Sequence, residues 1–164
     1  MFPDDIDSLA REVIRTADAK GLMIATAESC TGGLVSGALT AIAGSSAVVD
    51  RGFVTYSNAA KSDLVGVPAT LIEAHGAVSE PVARAMAQGA VANSAAQVSV
   101  SVTGIAGPGG GSPDKPVGLV HFAAAGPSGV VHIEQRFGDI GREAVRLESV
   151  RMALRLLLGR VIAA

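Results

Sequence analysis

An α/β fold, three layers deep with helices on both faces of a mixed, mostly parallel sheet, is predicted by three features of the sequence. Short apolar runs alternate with stretches whose apolar residues recur at helical spacing. The run Gln97 to Thr103 alternates apolar and polar side chains with the period of a strand. Segments 117–125 and 129–137 are joined by Gly126-Pro127-Ser128-Gly129, which is hairpin-turn chemistry. At 164 residues and 49% hydrophobic content, the chain suits one domain, residues 1–164, with a substantial core.

Taken in order, the first helix is expected over about residues 5 to 20, with Leu9, Val13 and Ile14 facing inwards and Lys20-Gly21 as its stop. Leu22-Met23-Ile24-Ala25 reads as a buried strand, and Gly33 to Ile42 as a helix. A second apolar run, Ala47-Val48-Val49, follows. If the two strands share a sheet, the connecting helix makes them parallel and puts their C-terminal ends on one edge, within about 10 Å even with a strand between them. Pro68 opens a short helix before His75-Gly76, and Ser79-Glu80-Pro81 opens a longer one to about residue 93, where Asn93 can cap it. After the 97–103 strand, Gly104 to Pro113 is too rich in glycine for either regular element and must be a loop. The hairpin comes next, and then a helix over about 140–160 that carries Val145, Val150, Leu154 and Leu157 inwards. No internal repeat or interdomain linker is visible.

Composition excludes several functions. A net charge of -2, without basic runs or interleaved aromatics, argues against nucleic-acid binding. The single cysteine excludes an internal disulfide and suits the cytoplasm. The start, Met1 to Asp7, is acidic where a secretory signal needs basic residues, and no apolar stretch reaches membrane-spanning length. There is no His-Glu-x-x-His, no paired cysteine and no carboxylate cluster at ligand spacing, so neither metal nor cofactor is expected.

Chemistry-bearing side chains collect instead at three strand ends. The first is Ala25-Thr26-Ala27-Glu28-Ser29-Cys30-Thr31-Gly32-Gly33, which places Ser29 at a strand-to-helix turn. Such a turn presents backbone N–H groups and the positive end of a helix, which suits an oxyanion or phosphate; it also suits ordinary capping. The second is Arg51 to Lys61, with Tyr56, Ser57 and Asn58. A lysine that reaches a serine suggests nucleophilic catalysis, although a lysine opening a helix is ordinarily just solvated. The third is the Gly104 to Gly111 loop, either a phosphate cradle or a connector. It is neither a Walker loop nor a dinucleotide fingerprint. Arg142, at the start of the last helix with Arg146 and Arg151 following, suits either phosphate binding or a solvated surface.

Other nucleophiles and bases fit less well. His75, His121 and His132 lie away from the motif strand ends and read as surface or internally satisfied residues. Cys30 adjoins Ser29, but neighbouring residues point in different directions and a small buried thiol is the commoner state.

These residues together resemble the CinA carboxy-terminal domain family. The matching pieces are Ala27 to Gly33, Gly52 to Asn58 with Lys61, His75 to Glu80, Thr103 to Gly111, and Lys115-Pro116-Val117-Gly118. They recur in the family's order and, with the Arg142 region, span nearly the whole chain. No counterpart is seen here of the large amino-terminal domain that many relatives carry, which resembles a molybdopterin-binding fold, so functions tied to it are not implied. The resemblance implies a metal-free serine amidohydrolase acting on the carboxamide of nicotinamide mononucleotide, in pyridine nucleotide recycling. Ser29 would be the nucleophile, Lys61 the base, and Tyr56 the residue that bridges or orients the pair. Thr31, Gly32, Gly33, Thr103, Gly104 and Arg142 would bind substrate. A homo-oligomer, dimer or higher, is also expected. A silent nucleotide-binding or regulatory module that keeps the pocket is the alternative, though a pure binder needs neither nucleophile nor base.

Overall fold

The computed structural model describes residues 1–164. Its five strands are β1 (Ile24–Glu28), β2 (Val49–Val54), β3 (Val98–Gly104), β4 (Leu119–Gly126) and β5 (Gly129–Arg136), and its six helices are α1 (Asp4–Lys20), α2 (Leu34–Thr40), α3 (Asn58–Val65), α4 (Ala69–His75), α5 (Glu80–Ala92) and α6 (Arg142–Ala163). The strands form one sheet in the order β2-β1-β3-β4-β5. β1 pairs in parallel with both β2 and β3, while β4 pairs antiparallel with β3 and with β5, so β4 alone runs against the others. The expected mixed, mostly parallel sheet is therefore present, and the ends of β1 and β2 are direct neighbours with no strand between them.

The layers follow from the strand periodicity. Val98, Val100, Val102, Val120 and Phe122 face α1, α2 and α6 in the larger apolar cluster, where Val145, Val150, Leu154 and Leu157 are also fully buried. Ala25 and Ala27 face the opposite way, onto Val65, Val82 and Met86 of the α3–α5 layer. The alternation in β3 does not separate core from solvent: Ser99 and Ser101 are fully buried and donate to the α5 carbonyls of Ala87 and Ala83 at 2.6 and 2.7 Å. A polar stripe facing a helix this closely needs such partners, because an unpaired buried hydroxyl costs about 1–3 kcal/mol.

Several boundaries shift from expectation. β1 starts at Ile24 and runs on to Glu28, and β2 starts at Val49 and continues through Arg51-Gly52-Phe53-Val54, which a run-based reading ends too early. Residues 45–47 form a short 3-10 turn ahead of β2. The exposed pattern of β2, an edge strand, removes the apolar alternation that would have marked it. No helix is long and apolar enough to cross a membrane.

Two local devices position the ends of β1 and α3. Glu28, only 1% exposed, accepts hydrogen bonds from the Val35 and Ser36 amides at 2.8 and 3.0 Å and from the Thr31 and Thr26 hydroxyls at 2.7 and 3.3 Å. Its carboxylate thus occupies the start of α2, where orphan N–H groups and the helix dipole favour negative charge. α3 begins at a capping serine, the Ser57 hydroxyl accepting from Ala60 N–H at 3.0 Å, and packs against α5 at Gly89.

Gly89 allows a specific test of that packing. Alanine in mid-helix is ordinarily favoured over glycine by about 1 kcal/mol. At position 89, however, a Cβ would stand 1.8 Å from the Val65 carbonyl oxygen, a backbone atom that cannot swing aside. A clash this deep with a backbone atom belongs at or above the upper end of the usual overpacking cost of about 1–3 kcal/mol, so after the propensity gain Gly89→Ala is expected to destabilise the protein by about 2 kcal/mol or more. Urea unfolding measures this; an unchanged or raised midpoint would contradict the packing described.

Candidate active site

Ser29 directly follows β1, and strand alternation turns it to the face opposite Glu28, towards α3. Its backbone N–H donates to Val102 O at 2.9 Å, extending the parallel ladder by one residue. β2 is drawn alongside in the same way, with Thr55 N–H donating to Glu28 O at 2.8 Å. The chain then turns through Tyr56 and Ser57 into α3, whose first turn carries Lys61 back beneath the strand ends.

Lys61 is 1% exposed, and its Nζ lies 3.1 Å from Ser29 Oγ, 2.9 Å from Thr55 O and 3.3 Å from Tyr56 O. As an ammonium it donates to all three. As a neutral amine, its two hydrogens can serve the two carbonyls, leaving the lone pair facing the Ser29 hydroxyl. No carboxylate pairs with it, and burial holds its pKa below the usual lysine range. Ser29 Oγ is itself 3.4 Å from Tyr56 O.

The other expected site residues divide into two groups. Thr103, Gly104, Tyr56 and Arg142 line, with Ser29 and Lys61, a cavity of about 240 Å³. Thr103 donates to Ala77 O at 2.9 Å and so fixes part of the wall. Tyr56 touches the Ser29–Lys61 pair through its carbonyl rather than its phenol, which lies 3.3 Å from an Arg142 guanidinium nitrogen. Arg142 also donates to Gly107 O at 2.8 Å. Thr31, Gly32 and Gly33 do not line the cavity. Thr31 is fully buried with its hydroxyl on Glu28, while Gly32 and Gly33, at φ +58° and +104°, make the turn that α2 needs. The first α2 amides are taken by Glu28, so the helix end is capped from within. Of the glycine loop, Gly104 reaches this cavity, whereas Gly109, Gly110 and Gly111 line a neighbouring trough of about 660 Å³ with Arg136 and Asp139.

Burial pushes the Cys30 thiol up to about 12, which leaves it protonated and inert as a nucleophile near neutral pH. His121 Nδ1 and His132 Nε2 lie 2.8 Å apart and satisfy each other outside the cavity. No group of three metal-ligating side chains is assembled.

Sequence reasoning undervalued two residues. Glu28 was visible only as a carboxylate in the motif; its place one residue before Ser29, on the other face of the strand, is the signal of a separate duty. Arg146, one helical turn after Arg142, donates to Cys30 O at 3.1 Å and Thr31 O at 3.2 Å, tying the turn behind Ser29 to α6.

Residues 6–161 match the model of the CinA C-terminal domain. A CinA-like protein of Anaeromyxobacter dehalogenans is 51% identical over 96% of this chain, which spans 38% of that relative's length. A protein of Enterobacter agglomerans named nicotinamide-nucleotide amidohydrolase PncC is 52% identical, with 93% of each chain covered. Among solved structures, the competence/damage inducible protein CihA from Agrobacterium tumefaciens superposes with a TM-score of 0.95 at 58% identity, covering 97% of both chains. A CinA superfamily protein from Escherichia coli superposes with a TM-score of 0.90 at 36% identity, covering 96% of this chain and 92% of its own. The chain belongs to the CinA C-terminal domain family.

Proposed function

We propose that this chain is an amidohydrolase that converts nicotinamide mononucleotide to nicotinic acid mononucleotide and ammonia through Ser29 and Lys61, as a step of pyridine nucleotide recycling in the cytoplasm. The observation that carries the reading is a buried lysine without a carboxylate partner, 3.1 Å from a serine hydroxyl in a cavity. The name of the Enterobacter agglomerans relative supports the substrate. Burying an uncompensated amine opposes folding. A silent binding module would have no use for that arrangement.

In the first half-reaction, neutral Lys61 takes the Ser29 proton as Oγ attacks the carboxamide carbon, giving a tetrahedral intermediate. Lys61 then returns a proton to the amide nitrogen, the C–N bond breaks and ammonia leaves an ester on Ser29. In the second, Lys61 takes a proton from water, whose oxygen attacks the ester carbon. The proton passes back to Ser29 Oγ as the acid is released. The Thr55 and Tyr56 carbonyls hold the amine hydrogens throughout, so the lone pair stays aimed at Ser29. Arg142, with donors beyond those given to Gly107 O and Tyr56 Oη, supplies a contact for the substrate phosphate. Thr103 and Gly104 form the wall beside it.

Ammonia release from nicotinamide mononucleotide is the direct assay. Ser29→Ala is expected to lose at least about a thousandfold in kcat with the fold intact, and Lys61→Arg at least about a hundredfold despite its retained charge, because a guanidinium does not give up its proton. Lys61→Arg with most of its activity would assign the lysine a binding role and require another base.

The pH dependence has a defined sign. The base works deprotonated, so kcat/KM rises with pH through the Lys61 pKa, which burial sets below that of an ordinary lysine. A profile measured between about pH 6 and pH 10 should climb and level before the usual lysine range is reached. A flat profile, or one that falls across this range, would contradict Lys61 as the base.

A further inference from the structure

The phenol of Tyr56 takes no part in holding Ser29 and Lys61, since its carbonyl does that. The residue is 60% exposed, yet it lines the same cavity, and its hydroxyl is tied to Arg142, which is pinned in turn to Gly107 O. Its ring is held at the tip by Arg142, a residue of the cavity lining, and stacks on no other aromatic ring of the chain.

The charges in the cavity identify what that face can recognise. No acidic side chain lines the cavity; its lysine and arginine, Lys61 and Arg142, offer no negative charge, and Tyr56 is its only aromatic residue. Glu28, the nearest carboxylate in the sequence, is committed to the α2 amides on the other face of β1. A pyridine ring bearing ribose on its nitrogen carries a formal positive charge. Such a ring meets no carboxylate here, and alkyl walls such as Ala77 and Val78 do nothing for its charge. The negative face of an aromatic ring does, by a factor of about 3 to 30 in affinity. Because the Tyr56 carbonyl touches both catalytic groups, its ring stays within a side chain's length of a carboxamide bound at Ser29.

We propose that Tyr56 is a specificity-determining residue, whose ring face stacks on the cationic pyridinium and favours charged-ring over neutral-ring nucleotides. This rests on the amidase reading and adds a selectivity that the reading does not require. Truncating an exposed side chain leaves the core untouched, so the variants keep the fold.

The test measures dissociation constants by calorimetry in a Ser29→Ala background, which prevents turnover. Two ligands are compared: nicotinamide mononucleotide, and its 1,4-dihydropyridine form, which has the same carboxamide, ribose and phosphate but a neutral ring. Tyr56→Phe keeps the face and Tyr56→Leu removes it. Tyr56→Leu is expected to weaken the cationic ligand about tenfold and the neutral one less than about threefold, while Tyr56→Phe restores the cationic ligand to within about threefold of the parent. Equal weakening of both ligands by Tyr56→Leu, or no weakening of either, overturns the stacking proposal while leaving the amidase reading in place. Failure of the Ser29→Ala parent to bind either ligand overturns the nucleotide reading itself, and this proposal with it.

Discussion

Glu28 is nearly inaccessible to water, and its carboxylate oxygens accept two backbone amides and two hydroxyls. Removing a carboxylate from water costs several kcal/mol unless every lone pair finds a donor, so this residue tolerates little displacement of the groups around it. Those groups are the Thr26 hydroxyl of β1, the Thr31 hydroxyl and the Val35 and Ser36 amides of α2. Its own carbonyl receives Thr55 N–H, which registers the end of β2 against the end of β1. One residue thus places the serine turn with its side chain and the lysine's carbonyl partner with its main chain.

The second constraint is the burial of Lys61. Its position follows from the capped start of α3 and from Gly89, which lets α3 approach α5 closely enough for the amine to lie under the strand ends. Once there, the amine has only uncharged acceptors, Ser29 Oγ and the Thr55 and Tyr56 carbonyls. In the proposed mechanism, the same absence of negative charge that destabilises an ammonium makes Lys61 available as a base, and it leaves the cavity without a carboxylate for a cationic ring. The proposed catalysis and the proposed ring selectivity both rest on that one electrostatic feature. Arg146 ties the same turn to α6 from behind, through the Cys30 and Thr31 carbonyls.

Much of this was legible in the sequence. The Gly21 stop, the Ser79-Glu80-Pro81 start with Asn93 as cap, and the apolar spacing of the last helix placed α1, α5 and α6 to within a few residues, and the parallel crossover put Ser29 and Lys61 on one edge. The less legible parts share a physical cause. Gly32 and Gly33 look like an anion cradle in a list of residues, but their positive φ values are needed by the turn itself, and Glu28 already fills the helix end. A local motif cannot say whether its amides are satisfied from inside the protein or by a ligand. Tyr56 shows the same ambiguity, since a sequence names a residue and not whether its carbonyl or its ring does the work. The buried serines of β3 look like a solvent face by alternation alone, and only the proximity of α5 reverses that.

Everything in the proposed chemistry depends on Ser29 attacking the carboxamide and carrying the acyl group. Mass spectrometry of protein quenched in acid during turnover of nicotinamide mononucleotide, with fragmentation to locate any adduct, tests it most directly. A nicotinate nucleotide ester on Ser29 Oγ, absent from Ser29→Ala, is the expected result. An adduct on the Cys30 sulfur, or ammonia release at full rate by Ser29→Ala, would contradict it.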